Sequence, residues 1–264
     1  MKCVKTILFT GARSGIQAKV IDRIKDKDYQ IYVTVHNEKQ LELVEKYYQE
    51  DSNITCLKLD VTCPNDLEQL RKLDIDILVN NAAIGEGGSM AEIPMDLVRS
   101  NFETNVFSYF TVIQVVLEQM IQKNKGKIIN MASLAGLIPL PYLGSYSATK
   151  ASIIKMTEAL KMELKDLKTN IQICLIEPGL YHTGFNQVMF ENKYTWMEQE
   201  SYFQKQIELI RKRETLLSHL LEHKNLNSIV KQIVKAIESK NMKFIYRAPL
   251  LQVIGAKLYL LFME

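Results

Sequence analysis

Residues 5–17 read K-T-I-L-F-T-G-A-R-S-G-I-Q, and no other run restricts the fold as strongly. An apolar strand over 6–10 enters a turn bearing Gly11 and Gly15 and continues as a helix from about residue 15. A strand that ends in a glycine turn and delivers a helix N-terminus builds an anion site. Free N–H groups and the positive end of the helix dipole then face the same point. Gly11 permits the tight turn, and Gly15 lets the backbone approach a pyrophosphate. A purely structural turn reads much the same, so the remainder of the chain must discriminate.

Beyond this run, apolar β-branched segments alternate with helical ones, the pattern of βαβ units around a parallel sheet. Strands are expected at 6–10, 30–35, 54–59, 75–80, 127–133, 171–177 and 243–246, and helices at 15–25, 38–50, 64–70, 96–123, 145–167 and 227–239. Right-handed crossovers would stack the helices on both faces, giving an α/β, doubly wound, Rossmann-type sheet of about seven strands. Ligands in such sheets lie at the strand C-terminal ends. Thr10, Asp60, Asn80, Ser133 and Pro178 all fall there.

Tyr146 and Lys150 stand four residues apart in Y-S-A-T-K, thirteen residues after Ser133. That spacing puts phenol and ammonium on one helix face. A fixed cation favours the phenolate and is expected to draw a tyrosine pKa down from its reference near ~10. Taken alone, Y-x-x-x-K is common and most often marks a solvated helix face.

In order and spacing, T-G-x-x-x-G at Thr10–Gly15, D-V-T at Asp60–Thr62, N-N-A at Asn80–Ala82, Asn105, Ser133, Tyr146, Lys150 and P-G at Pro178–Gly179 resemble the short-chain dehydrogenase/reductase family, over about residues 5–183. The glycine spacing is similar to that of its short, single-domain branch. The resemblance implies that Tyr146 exchanges a proton with a carbonyl or alcohol oxygen while hydride moves to or from a nicotinamide. It implies that Lys150 lowers the tyrosine pKa and holds the ribose, that Ser133 binds the same oxygen, and that Asn105 positions a water. Cofactor contacts are implied at Gly11, Arg13, Ser14, Gly15, Ile16, His36, Asp60, Val61, Asn81, Ala82, Ala83, Tyr146, Lys150, Pro178, Gly179 and Thr183. Two departures stand out: Gln17 replaces the family's third glycine, and Ala83 replaces the glycine of N-N-A-G.

Cofactor choice turns on the end of the second strand, where an acid would accept the ribose 2′-hydroxyl of NAD. The chain has V-T-V-H-N there, with His36 and Asn37 and no acid, while Arg13 offers a planar guanidinium suited to a 2′-phosphate. NADP(H) is therefore expected over NAD(H), a solvated Arg13 being the alternative. Asp60 would accept from the adenine or serve as a turn residue. The Gln17 amide must point away, replace a water at the phosphate, or crowd the cofactor. Crowding would make Gln17→Gly bind dinucleotide more tightly.

Residues 180–226 contain no expected strand but carry Phe185, Met189, Phe190, Tyr194, Trp196 and Tyr202. Such an insertion reads equally as a lid over an apolar substrate or as an ordinary helical pair. Over 248–264, Leu251, Ile254, Leu258 and Leu261 form one helical stripe, expected to dock on the domain or a neighbouring subunit in a homodimer or homotetramer. Membrane-surface contact is the weaker reading. H-L-L-E-H at His219–His223 matches an inverted zinc-protease motif but lacks a third ligand, and no metal is expected.

The 264 residues are expected to form one oxidoreductase domain; 47% are hydrophobic and 24% charged, which excludes disorder. A net charge of +3 with mixed signs gives no nucleic-acid footprint. Scattered cysteines (Cys3, Cys56, Cys63, Cys174), an early first strand and no long apolar run point to a cytoplasmic protein with free thiols. The expected activity is hydride transfer between NADP(H) and a carbonyl or secondary alcohol of a lipophilic steroid-like, acyl or aromatic substrate. A catalytically weak dinucleotide sensor or scaffold, suggested by Gln17, is the alternative.

Overall fold

A computed structural model describes residues 4–263, with the side chains of 262 and 263 left aside; Cys3 lies outside this range. The strands are β1 (Lys5–Phe9), β2 (Tyr29–Val35), β3 (Ile54–Lys58), β4 (Ile77–Asn80), β5 (Gly126–Met131), β6 (Ile171–Pro178) and β7 (Ile245–Ala248). They form one sheet in the order β3-β2-β1-β4-β5-β6-β7, every pairing parallel. Because successive strand side chains point to opposite faces, Ile7 and Phe9 enter one core layer and Leu8 the other. The first layer is closed by α1 (Gly15–Ile24) and α9 (Asn227–Glu238), through Val20, Ile21, Ile229 and Ile233. The second is closed by α5 (Ser108–Gln122) and α6 (Gly144–Asp166), through Val112, Val116, Ile153 and Leu164. Strand order reverses between β1 and β4, which opens a crevice at their C-terminal ends.

Both halves of the sheet follow the sequence expectation. The single helix expected over 96–123 does not. It divides into α4 (Met95–Phe102), a π-turn (Glu103–Phe107) and α5. The bulge centres on Asn105, whose amide is held from outside the helix as described below. A π-bulge within an α-helix is often associated with a functional site.

Residues 180–226 fold as a helical pair, α7 (Phe185–Glu200) and α8 (Ile207–Leu221). The base of this insertion is zipped shut: Tyr181 and His223 form a bridge, His223 N–H donates to Leu180 O (3.0 Å), and His182 N–H to His223 O (3.0 Å). Between the helices, buried Lys193 pairs with Glu214, which also accepts from the Tyr194 hydroxyl. The terminal helix α10 (Leu250–Met263) departs from expectation in its rotation. Val253 and Ala256 face inward, while the Leu251, Ile254, Leu258 and Leu261 stripe faces outward and does not dock on its own domain. Gln252 sets this rotation. Its Oε1 accepts from Leu180 N–H (2.6 Å) and its Nε2 donates to Leu221 O (2.6 Å).

Candidate active site

The glycine turn joins β1 to α1 with Gly11 at φ 61° and Gly15 at φ 68°, left-handed conformations that favour glycine. A Cβ on Gly11 would stand 2.7 Å from Ala82 Cα, so this glycine lets β4's continuation close on the turn. Thr10 organises that contact. Its hydroxyl donates to Asn80 Oδ1 (3.1 Å) and accepts from Asn81 N–H (2.8 Å) and Ala82 N–H (3.0 Å). Asn81 returns its amide to Thr10 O (3.1 Å) and Gly11 O (2.9 Å).

Gln17 lines the cleft beside the turn. Its Nε2 donates to Asn81 Oδ1 (3.1 Å), and its Oε1 is buried without a partner among the described residues. The side chain thus stays at the turn, bonded to the Asn81 that braces it.

A cleft of about 1600 Å³ opens over the C-terminal ends of the strands. Every residue singled out for catalysis or cofactor contact lines it except Asn105. Ser133, just beyond β5, adopts an extended conformation and accepts from Ala135 N–H (3.1 Å). Tyr146 and Lys150 project from the first two turns of α6, and both are buried. Lys150 Nζ donates to Met131 O (3.1 Å) and stands 5.6 Å from the Tyr146 ring centre.

The electrostatics reverse one expectation. Burial holds the Tyr146 phenol above its ordinary pKa, opposed in part by its hydrogen bond with Ser133. Burial also brings Lys150 down to about 8. Desolvation therefore dominates at both groups, and at Tyr146 it favours the neutral phenol over the phenolate.

Asn105 sits behind the cleft, fully buried. Its Oδ1 accepts from Ile84 N–H (2.9 Å), while its Nδ2 donates to Ile84 O (2.9 Å) and Thr149 Oγ1 (3.2 Å). The side chain thereby fixes the loop after β4 against α6. At the adenosine end, Arg13 is exposed on the cleft wall, and His36 Nδ1 lies 3.8 Å from Asp60 Oδ1. Asn37 caps α2 (Glu38–Tyr47) by accepting from Gln40 N–H (3.0 Å), and Asp60 accepts from Thr62 N–H (2.9 Å) and its hydroxyl (2.7 Å). Both short polar side chains thus do turn work whatever else they bind.

Several cleft residues carried no sequence signal. Glu86 lines the wall, its carboxyl raised by burial and opposed by a hydrogen bond from Asn192. Arg213, Glu214 and the leucines of α8 enter from the insertion, and Tyr259 from α10. Contacts between elements far apart in sequence, such as Gln252 with Leu180 and Leu221, bring these groups together. In the H-L-L-E-H segment, Glu222 pairs with His182 Nδ1 (3.0 Å), and no cluster of three or more metal-ligating side chains occurs among the described residues.

The short chain dehydrogenase family model matches residues 5–194, and the chain belongs to the short-chain dehydrogenase/reductase family of NAD(P)-dependent oxidoreductases. It is 29% identical over 260 residues to a 3-ketodihydrosphingosine reductase of Bacteroides thetaiotaomicron, covering 95% of this chain and 90% of that protein. Among solved structures, it resembles the closed form of a serine dehydrogenase complexed with NADP+ (TM-score 0.76, 22% identity, 94% and 96% of the two chains). It also resembles a short chain dehydrogenase/reductase from Burkholderia phymatum in complex with NAD (TM-score 0.80, 20% identity, 96% and 92%). At these identities the two structures establish the shared fold.

Proposed function

We propose that this protein is a cytoplasmic NADP(H)-dependent reductase of a lipophilic ketone bearing a long acyl or alkyl chain. The carrying observation is the cleft itself, in which Ser133, Tyr146 and Lys150 share one space with a wall of Phe185, Met189, Phe190, Leu217, Leu220 and Leu251. A substrate with a polar reacting end and an extended apolar body matches such a wall. The full-length relative with a sphingoid ketone in its name agrees with that shape of ligand. The α7–α8 insertion serves as a cover on this body.

The glycine turn, Arg13, Ser14, Ile16 and the residues at 81–83 would hold the dinucleotide, which supplies hydride to the carbonyl carbon when bound. Tyr146 gives its phenolic proton to the carbonyl oxygen as negative charge develops there. Ser133 donates a hydrogen bond to the same oxygen. Lys150 holds the ribose and recharges Tyr146 from its own proton store. The absence of an acid after β2 and the position of Arg13 favour NADP(H). With the Gln17 amide held on Asn81, the ground for a non-catalytic sensor weakens. Exposed Phe107, Met156 and Met162 on the α5–α6 side favour assembly of copies of the chain into a homodimer or homotetramer.

The test is reduction of a ketone series of rising chain length, followed by absorbance of the reduced nicotinamide. Each buried methylene is expected to raise kcat/KM about fourfold until the cleft is filled, and Tyr146→Phe to lower turnover by ~10²–10⁴ while the protein stays folded. A flat chain-length profile overturns the substrate class; near-normal turnover in the phenylalanine variant overturns the mechanism.

A further inference from the structure

On α8, Leu216 and Leu220 are 60% and 70% exposed; on α10, Leu251 and Leu261 are 79% and 69% exposed. These two helices also form the lips of the cleft, because Leu217, Leu220, Leu251 and Tyr259 are at once exposed and part of its lining. So much apolar surface concentrated at the mouth of a site exceeds the scattered leucines of an ordinary surface. We infer that this rim is a docking surface for an anionic lipid bilayer, with α8 and α10 lying in the headgroup region and the cleft opening onto it.

Charge selects this occupant. Exposed Lys212 and Arg213 stand one turn from Leu216 and Leu217 on α8, Lys224 follows that helix, and Lys257 lies one turn from Ile254 and Leu261 on α10. The acids are withdrawn: Glu214 turns onto Lys193 and Glu222 onto His182, leaving Glu208 as the exposed acid of α8, and α10 has none. Self-association through this face would bring the cations of two copies together, whereas anionic headgroups neutralise them. Long basic side chains beside leucines can also snorkel, keeping their charge at the headgroups while their stems cover apolar surface.

Length sets the mode of contact. No helix of the described residues is long and apolar enough to cross a membrane. An apolar helix that carries an exposed cation on its outer face lies along the interface. α8 and α10 alone make up this surface. Its benefit, delivery of a lipid ketone without passage through water, rests on the function proposed above.

Flotation of the full chain with vesicles decides the matter without any ketone. The protein is expected to float with vesicles of equal parts phosphatidylglycerol and phosphatidylcholine, and much less with phosphatidylcholine alone. The pair Leu258→Ser and Leu261→Ser, both outside the cleft lining, should reduce the bound fraction at least about tenfold, by removing two exposed leucines. Lys212→Ala and Lys257→Ala should each cost about fivefold at low salt. Unchanged thermal melting and NADPH binding confirm that the variants are folded. A wild-type chain that stays in solution with anionic vesicles overturns the proposal. A lipid-free dimer that the leucine pair converts to monomer also overturns it, assigning the face to a second copy. Binding to vesicles with no ketone turned over would leave this surface standing and remove only the reductase reading.

Discussion

Asn101 and Asn105 make the same set of contacts one helical turn apart. Asn101 exchanges hydrogen bonds with both backbone groups of Glu86 (2.9 and 2.8 Å) and donates to Ser145 Oγ (2.8 Å). Asn105 does the same with Ile84 and Thr149. The two rungs fix the β4 loop against the turn of α6 that carries Tyr146. Removing either amide strands a buried N–H and C=O, each worth about 1–3 kcal/mol. Asn101→Ala, which touches no cleft residue through its side chain except Glu86's backbone, should lower stability by about 2 kcal/mol in urea titration and also reduce kcat. Stability loss with kcat intact would confine the rung to folding.

Lys150 should hold opposite signs for activity and stability. Its native pKa near 8 lies below the ordinary 10.5, so between those values the unfolded chain binds more protons. Stability from this residue therefore rises with pH across that window, and below about 8 the cost of a buried charge stands in full. Lys150→Met is expected to make the protein about 2–3 kcal/mol more stable at neutral pH and to abolish turnover. In the wild type, ketone reduction should decline as pH rises through the titration of Lys150. An equally unstable methionine variant would contradict the burial cost.

Arg13→Ala is expected to weaken NADPH binding about tenfold or more and NADH binding little, since the guanidinium would meet only the 2′-phosphate. Calorimetric titration with both cofactors measures the ratio. Equal losses would return Arg13 to a general phosphate or structural role, and tight NADH with poor NADPH binding in the wild type would reverse the cofactor preference.

For Gln17, geometry and the crowding model disagree in sign. Because the amide donates to Asn81, which itself holds Gly11 O, Gln17→Gly should remove a brace of the turn. The variant is expected to be less stable by about 1–2 kcal/mol, from glycine's helix penalty and the lost hydrogen bond. NADPH binding should be unchanged or a few-fold weaker. Tighter binding in the same titration would restore crowding.

What the chain reveals by reading alone is what local spacing encodes. The Gly11–Gly15 turn, the Tyr146–Lys150 helix face and the alternation that sets seven parallel strands all depend on neighbours within a few positions. The π-turn was hidden because 95–122 keeps a helical period throughout, and the cause of the bulge, Asn105 bound to Ile84, lies twenty-one residues away. The sign of the Tyr146 shift was missed for a related reason. Sequence shows the cation four residues on, but burial, the largest cause of the shift, is made by the whole fold. The rotation of α10 likewise follows from one glutamine reaching residues 72 and 31 positions away.

That glutamine has a mechanical consequence. Leu180 follows β6 at the start of the α7–α8 segment, Leu221 closes α8 at its end, and the Gln252 amide clasps both. Gly179 makes room for the clasp, since a Cβ there would fall 2.0 Å from Gln252 Oε1. Neither root of the segment can swing without tugging the C-terminal helix. The α7–α8 pair and α10 are therefore joined at their roots, and the ring of Phe185 at the start of that pair lies 5.9 Å from the Tyr146 ring.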